Sequence, residues 1–153
     1  MRNDSYYMGM ALDEARKASL KGEVPVGSIV VYEGNIISSG HNMTEGAADP
    51  TSHAEICAIR GASEFFQNWR LTGTTLFVTL EPCTMCIGAA VLARIDRLVF
   101  GCFDPKGGAV GSLYDIRDVS ALNHSIEVTS GVRAGECSEV LKTFFKELRK
   151  PKS

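Results

Sequence analysis

The sequence lacks the features that mark a membrane protein, a secreted protein or a chain of several domains. No apolar run approaches the roughly 20 residues that a membrane span requires. Residues 1–7 also lack the apolar segment of a signal peptide. The 153 residues contain no internal repeat, low-complexity stretch or linker, and 44% of them are hydrophobic. We therefore expect residues 1–153 to form a single domain with one buried core.

Cysteines are few and the net charge is small, and each of these argues against a class of protein. The five cysteines are an odd number, which argues against a disulfide framework and favours the reducing cytoplasm. The net charge of −2 argues against a general nucleic-acid coat, so any RNA binding must come from a local patch. The glycine-rich stretch at 102–112 lacks the Walker spacing of a phosphate-binding loop.

The most informative segment is EPCTMC at 81–86. It lies between a β-branched and aromatic run that predicts a strand and an apolar run that predicts a buried helix. Its proline suits a first helical turn, so Cys83 and Cys86 are expected one turn apart where the helix begins. The helix dipole there lowers thiol pKa values, and two converging thiolates are half of a tetrahedral zinc site. The pair alone is also compatible with a thioredoxin-like redox site.

A third candidate ligand, His53, lies thirty positions before Cys83 in a segment that also predicts a helix start. Two helix N-termini beside neighbouring strands can bring His53, Cys83 and Cys86 to one zinc ion. Three protein ligands leave the fourth position for water, which is typical of catalytic zinc. Cys57 is an alternative fourth ligand that would close the site, although its place on the second turn argues against it.

Glu55 has two interpretations. With Ser52 it fits a capping box, in which its carboxylate folds back onto its own helix start. Beside a histidine and a cysteine pair at metal-binding spacing, it instead fits an acid and base that moves protons. The pattern His-x-Glu followed by Pro-Cys-x-x-Cys is the signature of the zinc deaminases, and this sequence matches it at every position.

The rest of the chain predicts an α/β protein. Periodicity predicts helices over 4–20, 53–68, 87–93 and 135–149, and strands over 24–32, 35–41, 74–80, 96–101 and 125–129. The strand, helix and strand around the cysteine pair form a βαβ unit, so the strands at 74–80 and 96–101 should be parallel. The stretch at 102–112 then follows the carboxyl end of a strand, where open α/β sheets bind ligands.

Asn42 begins a polar loop that leads into the His53 segment, so it should lie near the metal. Its amide can both donate and accept a hydrogen bond, which suits contact with a substrate. Asparagine is also an ordinary loop residue, and this alternative stays open.

Seven short motifs carry a resemblance that covers residues 7–149. They are HAE at 53–55, PCTMC at 82–86, GEVPVG at 22–27, DPKGG at 104–108, GSL at 111–113, LNH at 122–124 and FF at 144–145. Together they resemble the bacterial tRNA-specific adenosine deaminases, which belong to the cytidine deaminase superfamily. The zinc motifs are shared across that superfamily, whereas the segments at 22–27, 104–113 and 144–145 favour the tRNA branch.

The resemblance implies a three-layer αβα sandwich around a five-stranded mixed sheet, with one Zn²⁺ in each subunit of a homodimer. It implies hydrolytic deamination of adenosine to inosine at the wobble position of a tRNA anticodon. In that reaction Glu55 takes a proton from the zinc-activated water and passes it to the purine N1. The hydroxide attacks C6, and in a separate step Glu55 shuttles a proton to the departing ammonia.

The resemblance also implies a set of contacts to the substrate. Asn42 would orient the base, and Lys106, Asn123, Phe145 and Arg149 would contact the anticodon loop. Lysine and arginine suit phosphates, and phenylalanine suits stacking on an unpaired base. Core packing is the alternative for Phe145, but it and its neighbour on the helix cannot both face the core.

Two other functions remain open. A small-substrate deaminase acting on guanine, cytidine or deoxycytidylate would share the zinc site without needing a basic C-terminal segment. A non-catalytic, zinc-stabilised RNA-binding protein would need a closed metal site and no role for Glu55. The basic side chains of that segment are Lys142, Lys146, Arg149, Lys150 and Lys152.

Overall fold

A computed structural model describes residues 2–151, so Lys152 lies outside the described part of the chain. The elements in chain order are α1 (Asp4–Leu20), β1 (Gly27–Tyr32), β2 (Asn35–His41), α2 (Ala54–Phe66), β3 (Thr74–Leu80), α3 (Thr84–Leu92), β4 (Arg97–Cys102), a 3-10 turn (Ile116–Asp118), β5 (Glu127–Thr129) and α4 (Ala134–Leu148). Among residues 2–151, no helix is both long enough and apolar enough to cross a bilayer.

The strands form one five-stranded mixed sheet in the order β2-β1-β3-β4-β5. β1 pairs antiparallel with β2 and β3, whereas β4 pairs parallel with β3 and β5. The parallel pairing of β3 with β4 follows from the crossover through α3 and confirms the predicted βαβ unit. The predicted α/β fold with a five-stranded mixed sheet is confirmed.

Helices cover both faces of this sheet. On one face, α2 and α3 share an apolar cluster with the inward side chains of the central strands. On the other face, α1 and α4 pack against a second cluster that includes Phe77 and Val99. The arrangement is the expected three-layer αβα sandwich, and it leaves the N-termini of α2 and α3 in the same layer.

Small residues let α2 lie unusually close to the sheet. Ala54, Ala58 and Ala62 recur every four residues along its buried side. Opposite them on β2, a Cβ added to Gly40 would lie 2.7 Å from both the Ala54 oxygen and the Cys57 Cβ. This close approach fixes the start of α2, and therefore His53, relative to the sheet.

Two predicted features differ in the structure. The helical patterns predict that Leu20 and Leu148 face the core, which is wrong, since they are 88% and 67% exposed. Each is the last residue of its helix, where the helix runs past the sheet it covers. The first strand begins at Gly27 rather than at 24, because Pro25 has no N–H with which to pair.

Candidate active site

The three candidate metal ligands converge at the starts of α2 and α3. His53 is the N-cap residue of α2 and Cys83 that of α3, and neither side chain caps its own helix. Nδ1 of His53 lies 3.6 Å from Sγ of Cys83 and 3.5 Å from Sγ of Cys86. All three donor atoms lie within 4.8 Å of one another, so this group can hold a metal ion.

The charges of the two thiols support a cation between them. Hydrogen bonds that the Cys83 sulfur accepts from Cys86 and from the His53 ring lower the pKa of Cys83 to about 4. The same hydrogen bond and burial raise the pKa of Cys86. One thiolate therefore forms readily, and the second forms only when a positive charge offsets the first. A metal ion bound between the two sulfurs would supply that charge.

Cys57 does not belong to this group within the described residues. Its Cβ faces the backbone of Gly40 on β2, on the side of α2 that packs against the sheet. The alternative of a closed site with Cys57 as fourth ligand is therefore wrong.

Glu55 faces the cysteine pair from the first turn of α2. Glu55 is only 4% exposed, and burial raises the pKa of its carboxyl group to about 7. The capping-box interpretation is wrong, because His53 and not Ser52 is the N-cap residue. The Ser52 hydroxyl instead donates to Asp49, 3.1 Å away, so the Glu55 carboxylate has no part in a reciprocal cap.

A cavity of about 290 Å³ opens beside this group. His53, Glu55 and Cys83 line one part of it, and Val24 and Leu80 contribute apolar walls. A few polar groups in a partly apolar cleft are typical of a site for a small ligand or a single base. The metal-binding group and the buried acid therefore share one pocket.

The structure brings only some of the predicted substrate contacts to this pocket. Asn42 is 8% exposed and lines it. Lys106 is exposed on the loop after β4, two residues beyond Asp104, which does line the pocket. Asn123, Phe145 and Arg149 are exposed, and within residues 2–151 they lie outside the lining. They could meet a substrate only if it extends beyond the pocket.

Phe145 is 39% exposed, whereas its neighbour Phe144 is half-buried, with ring centroids 5.3 Å apart. Phe145 therefore has the more accessible ring of the two. Among residues 2–151, neither ring belongs to the two core clusters, which agrees with the sequence prediction that the two cannot both face the core.

Two buried acids that the sequence patterns did not single out hold the loops beside the pocket. Glu23 accepts hydrogen bonds from the backbone N–H groups of Glu45 and Gly46, at 3.1 and 2.6 Å. Glu81 accepts from backbone N–H groups of Asp104 and of two residues further along the same loop. The one signal in the sequence is that each acid lies within a motif of the resemblance, Glu23 in GEVPVG at 22–27 and Glu81 directly before PCTMC at 82–86.

Known proteins match almost the whole chain. The model of the MafB19-like deaminase family matches residues 2–149. A tRNA-specific adenosine deaminase from Bacillus subtilis (strain 168) is 49% identical over 152 residues, which are 99% of this chain and 94% of that protein. A second protein of that name, from Haemophilus influenzae, is 51% identical over 150 residues, 97% of this chain and 87% of its own.

Solved structures agree with these matches. One structure comes from work on A-to-I editing by tRNA:A34 deaminases at the wobble position of transfer RNA. It matches with a TM-score of 0.87 and 44% sequence identity, and the match covers 90% of this chain and 99% of that chain. A guanine deaminase from Nitrosomonas europaea has a TM-score of 0.81 at 21% identity, over 94% and 85% of the two chains, and shares the fold. Since the family model and these relatives span nearly the full length, the chain belongs to the MafB19-like deaminase family, among the tRNA-specific adenosine deaminases.

Proposed function

We propose that this protein converts adenosine to inosine by hydrolysis at the wobble position of a tRNA anticodon. The observation that carries the proposal is the convergence of a His-Cys-Cys group and a buried glutamate in one pocket. The names of its relatives supply the nucleoside and the RNA. Glu55 argues against a purely structural metal site, because such a site has no use for a buried acid beside its ligands.

We propose zinc as the metal, one ion per subunit, held by His53, Cys83 and Cys86. In a tetrahedral zinc site with Zn–S of about 2.3 Å and Zn–N of about 2.0–2.1 Å, nitrogen and sulfur ligands lie about 3.6 Å apart. The His53 Nδ1 atom lies 3.6 and 3.5 Å from the two sulfurs, so the donor set fits. Bound zinc would lower the pKa of a water molecule and supply a nucleophile near neutral pH.

The side chains of the pocket would supply the remaining chemistry. Glu55, with a pKa raised to about 7 by burial, can accept and return a proton at neutral pH. It would take a proton from the attacking water and pass it to the purine N1, and would then take the proton of the new C6 hydroxyl and pass it to the amino group, which leaves as ammonia. The Asn42 amide would donate to and accept from the edge of the base and hold it against Glu55.

The RNA around the target base would contact exposed side chains outside the pocket. Lys106 stands on the loop that borders the pocket, and Asn123 is exposed on the segment before β5. Phe145 offers an aromatic face for stacking, and Arg149 offers a cation for phosphate at the end of α4. In this segment the Lys150 ammonium lies 2.9 Å from Glu147, so the net positive charge comes from Lys142, Lys146, Arg149 and Lys152.

We further propose that the chain is a single deaminase domain that acts as a homodimer in the cytoplasm. Large apolar side chains are exposed at the far ends of the α2–α3 layer, where Phe65, Trp69 and Leu92 are 60%, 58% and 70% exposed. Such surface suits a contact between subunits. Free cysteines, including the buried Cys102 and Cys137, suit a reducing compartment.

The test is turnover of an anticodon stem-loop with adenosine at the wobble position, compared with free adenosine, guanine and cytidine. We expect inosine from the stem-loop and at least about a hundredfold lower turnover of each free compound, since most of the binding surface is lost. Equal turnover of a free base or nucleoside would favour a small-substrate deaminase. Metal-loaded protein that turns over none of them would favour a non-catalytic RNA-binding role.

A further inference from the structure

We propose that Glu81 is a positioning residue for substrate binding, whose buried carboxylate fixes the loop at 104–112 beside the pocket. This inference rests on the proposed function, because the ligand whose binding it affects is the anticodon stem-loop. The resemblance to deaminases assigns no role to this side chain. The contacts of the carboxylate carry the inference.

The Glu81 carboxylate lies at the junction between β3 and the cysteine motif and is 2% exposed. Its Oε1 accepts from the Asp104 N–H at 2.9 Å and from the Ser112 hydroxyl. Its Oε2 accepts from the N–H groups of Val110 and Ser112, at 2.9 and 3.1 Å. Both ends of the loop are therefore tied to one side chain.

All of these donors are neutral loop groups, so the carboxylate is held by the loop itself rather than by a lysine or arginine. A buried carboxylate is costly unless donors surround it, and here the loop must be in place to supply them. Glycine at 108 makes the fit possible, because a Cβ there would overlap the Glu81 carboxyl group. The loop backbone thus lies directly on the carboxylate.

The backbone ties the same loop to the metal-ligand segment. The Glu81 N–H donates to the Cys102 oxygen at 2.9 Å, and the Ala109 N–H donates to the Pro82 oxygen at 2.9 Å. Pro82 directly precedes Cys83, so the loop is aligned with the metal group from its backbone as well as from the Glu81 side chain.

The loop carries two side chains toward the substrate. Asp104 lines the pocket, and its Oδ1 accepts from the Lys106 N–H at 3.1 Å. A shift of Asp104 would therefore move both the pocket wall and the lysine proposed to contact RNA. The metal ligands and Glu55 contact one another without help from this loop. A loop that is no longer held in place should therefore weaken substrate binding more than it slows the chemical step.

The Glu81→Gln variant tests this idea, because it keeps the shape and removes the matched set of acceptors. Whichever way the amide lies, its NH₂ group meets a backbone N–H, from Asp104 on one side or from Val110 and Ser112 on the other. We expect KM for the stem-loop to rise about tenfold or more, with kcat within about threefold of the parent and zinc content unchanged. Hydrogen exchange at the Val110 and Ser112 amides should accelerate, while exchange in β3 and β4 stays the same.

The matched control is Glu33→Gln, the same chemical change at an exposed position in the turn between β1 and β2. It should leave KM, kcat and loop exchange unchanged. If Glu81→Gln fails to fold, Ser112→Ala keeps the carboxylate and removes one donor, and a smaller rise in KM with faster loop exchange is expected.

Three results would overturn the inference. The first is an unchanged KM in Glu81→Gln. The second applies if only Ser112→Ala folds, and is an unchanged KM in that variant. The third is a fall in zinc content and kcat of Glu81→Gln at constant KM, which would mean that Glu81 supports the metal ligands instead. Failure of the parent protein to deaminate the stem-loop would instead refute the proposed function. The two failures are therefore distinguishable in one experiment.

Discussion

At the scale of single residues, Glu55 is an ionisable side chain whose surroundings bring its pKa close to neutral pH. Burial raises its pKa to about 7, so neither the acid nor the carboxylate dominates strongly at neutral pH. A group of this kind can act as base in one step and as acid in the next. A carboxylate with an ordinary pKa would be a weaker acid catalyst at the same pH.

Glu55→Ala should therefore keep the fold and the metal while losing turnover. We expect kcat on the stem-loop to fall by at least about 10²–10⁴, because the proton transfers lose their carrier. Circular dichroism and zinc analysis should match those of the parent protein. Near-normal turnover in this variant would show that another group moves the protons.

The ligand set is tested by a matched pair of cysteine variants. Cys86→Ala removes a proposed ligand, and we expect zinc content after dialysis to fall well below one ion per chain. Cys57→Ala removes a thiol on the same layer that faces Gly40, and it should keep full zinc content. Loss of zinc from Cys57→Ala with retention in Cys86→Ala would contradict the assignment.

At the scale of elements, α1 and β2 are joined by an acid that also bears on stability. The Glu14 carboxylate lies 3.0 Å from Nδ1 of His41 and 2.7 Å from the Lys17 ammonium. Burial alone would raise the pKa of Glu14, but the hydrogen bonds from Lys17 and His41 lower it overall. Because the pKa is lower in the folded state, the ionised carboxylate stabilises the fold at pH values above the unfolded-state pKa. This contribution is lost as the pH falls through the folded-state pKa.

Glu14→Gln should consequently destabilise the protein at pH 7, by about 1 kcal/mol in free energy of unfolding. The difference from the parent should shrink as the pH falls below the ordinary carboxyl pKa of 4.5, because the parent then loses the same charge. Urea unfolding at a series of pH values measures it. A gap that stays constant into acid would mean that packing, rather than charge, accounts for the effect.

Local patterns predict these elements well but not all of their ends or long-range contacts. β3 runs over the predicted 74–80, because its β-branched and aromatic residues strongly favour a strand. β1 starts at Gly27, where a Cβ would collide with the α1 backbone at Ala11. Local sequence patterns do not predict this contact, because the two residues are distant in the chain. Glu81 reaches partners 23 to 31 positions away, so its role emerges only once β3 and β4 are side by side.

The candidate site divides in the same way. The convergence of His53, Cys83 and Cys86 could be predicted from sequence because each lies at or within one turn of a helix start, and both helices begin beside neighbouring strands. Asn42 could be placed near the pocket because its loop leads into α2. Phe145 and Arg149 are assigned by resemblance alone, since nothing in the spacing of α4 relates them to the pocket.

At the scale of the whole molecule, the proposed homodimer predicts a dependence on the α2–α3 layer. Sedimentation at micromolar concentration should give the mass of two chains, and Leu92→Glu should shift the protein toward one chain by placing a charge in the contact. Leu20→Glu is the matched control, because Leu20 is 88% exposed but lies on α1 in the opposite layer. A monomeric parent, or equal dissociation in both variants, would contradict the proposal.

The two buried acids beside the pocket have a consequence for how its specificity can change. Glu23 and Glu81 each hold one bordering loop mainly through its backbone N–H groups. Replacing either acid with aspartate would shorten its reach by one C–C bond, about 1.5 Å. We therefore expect either change to aspartate to shift the bordering loop relative to the pocket, while His53, Cys83, Cys86 and Glu55 keep their positions.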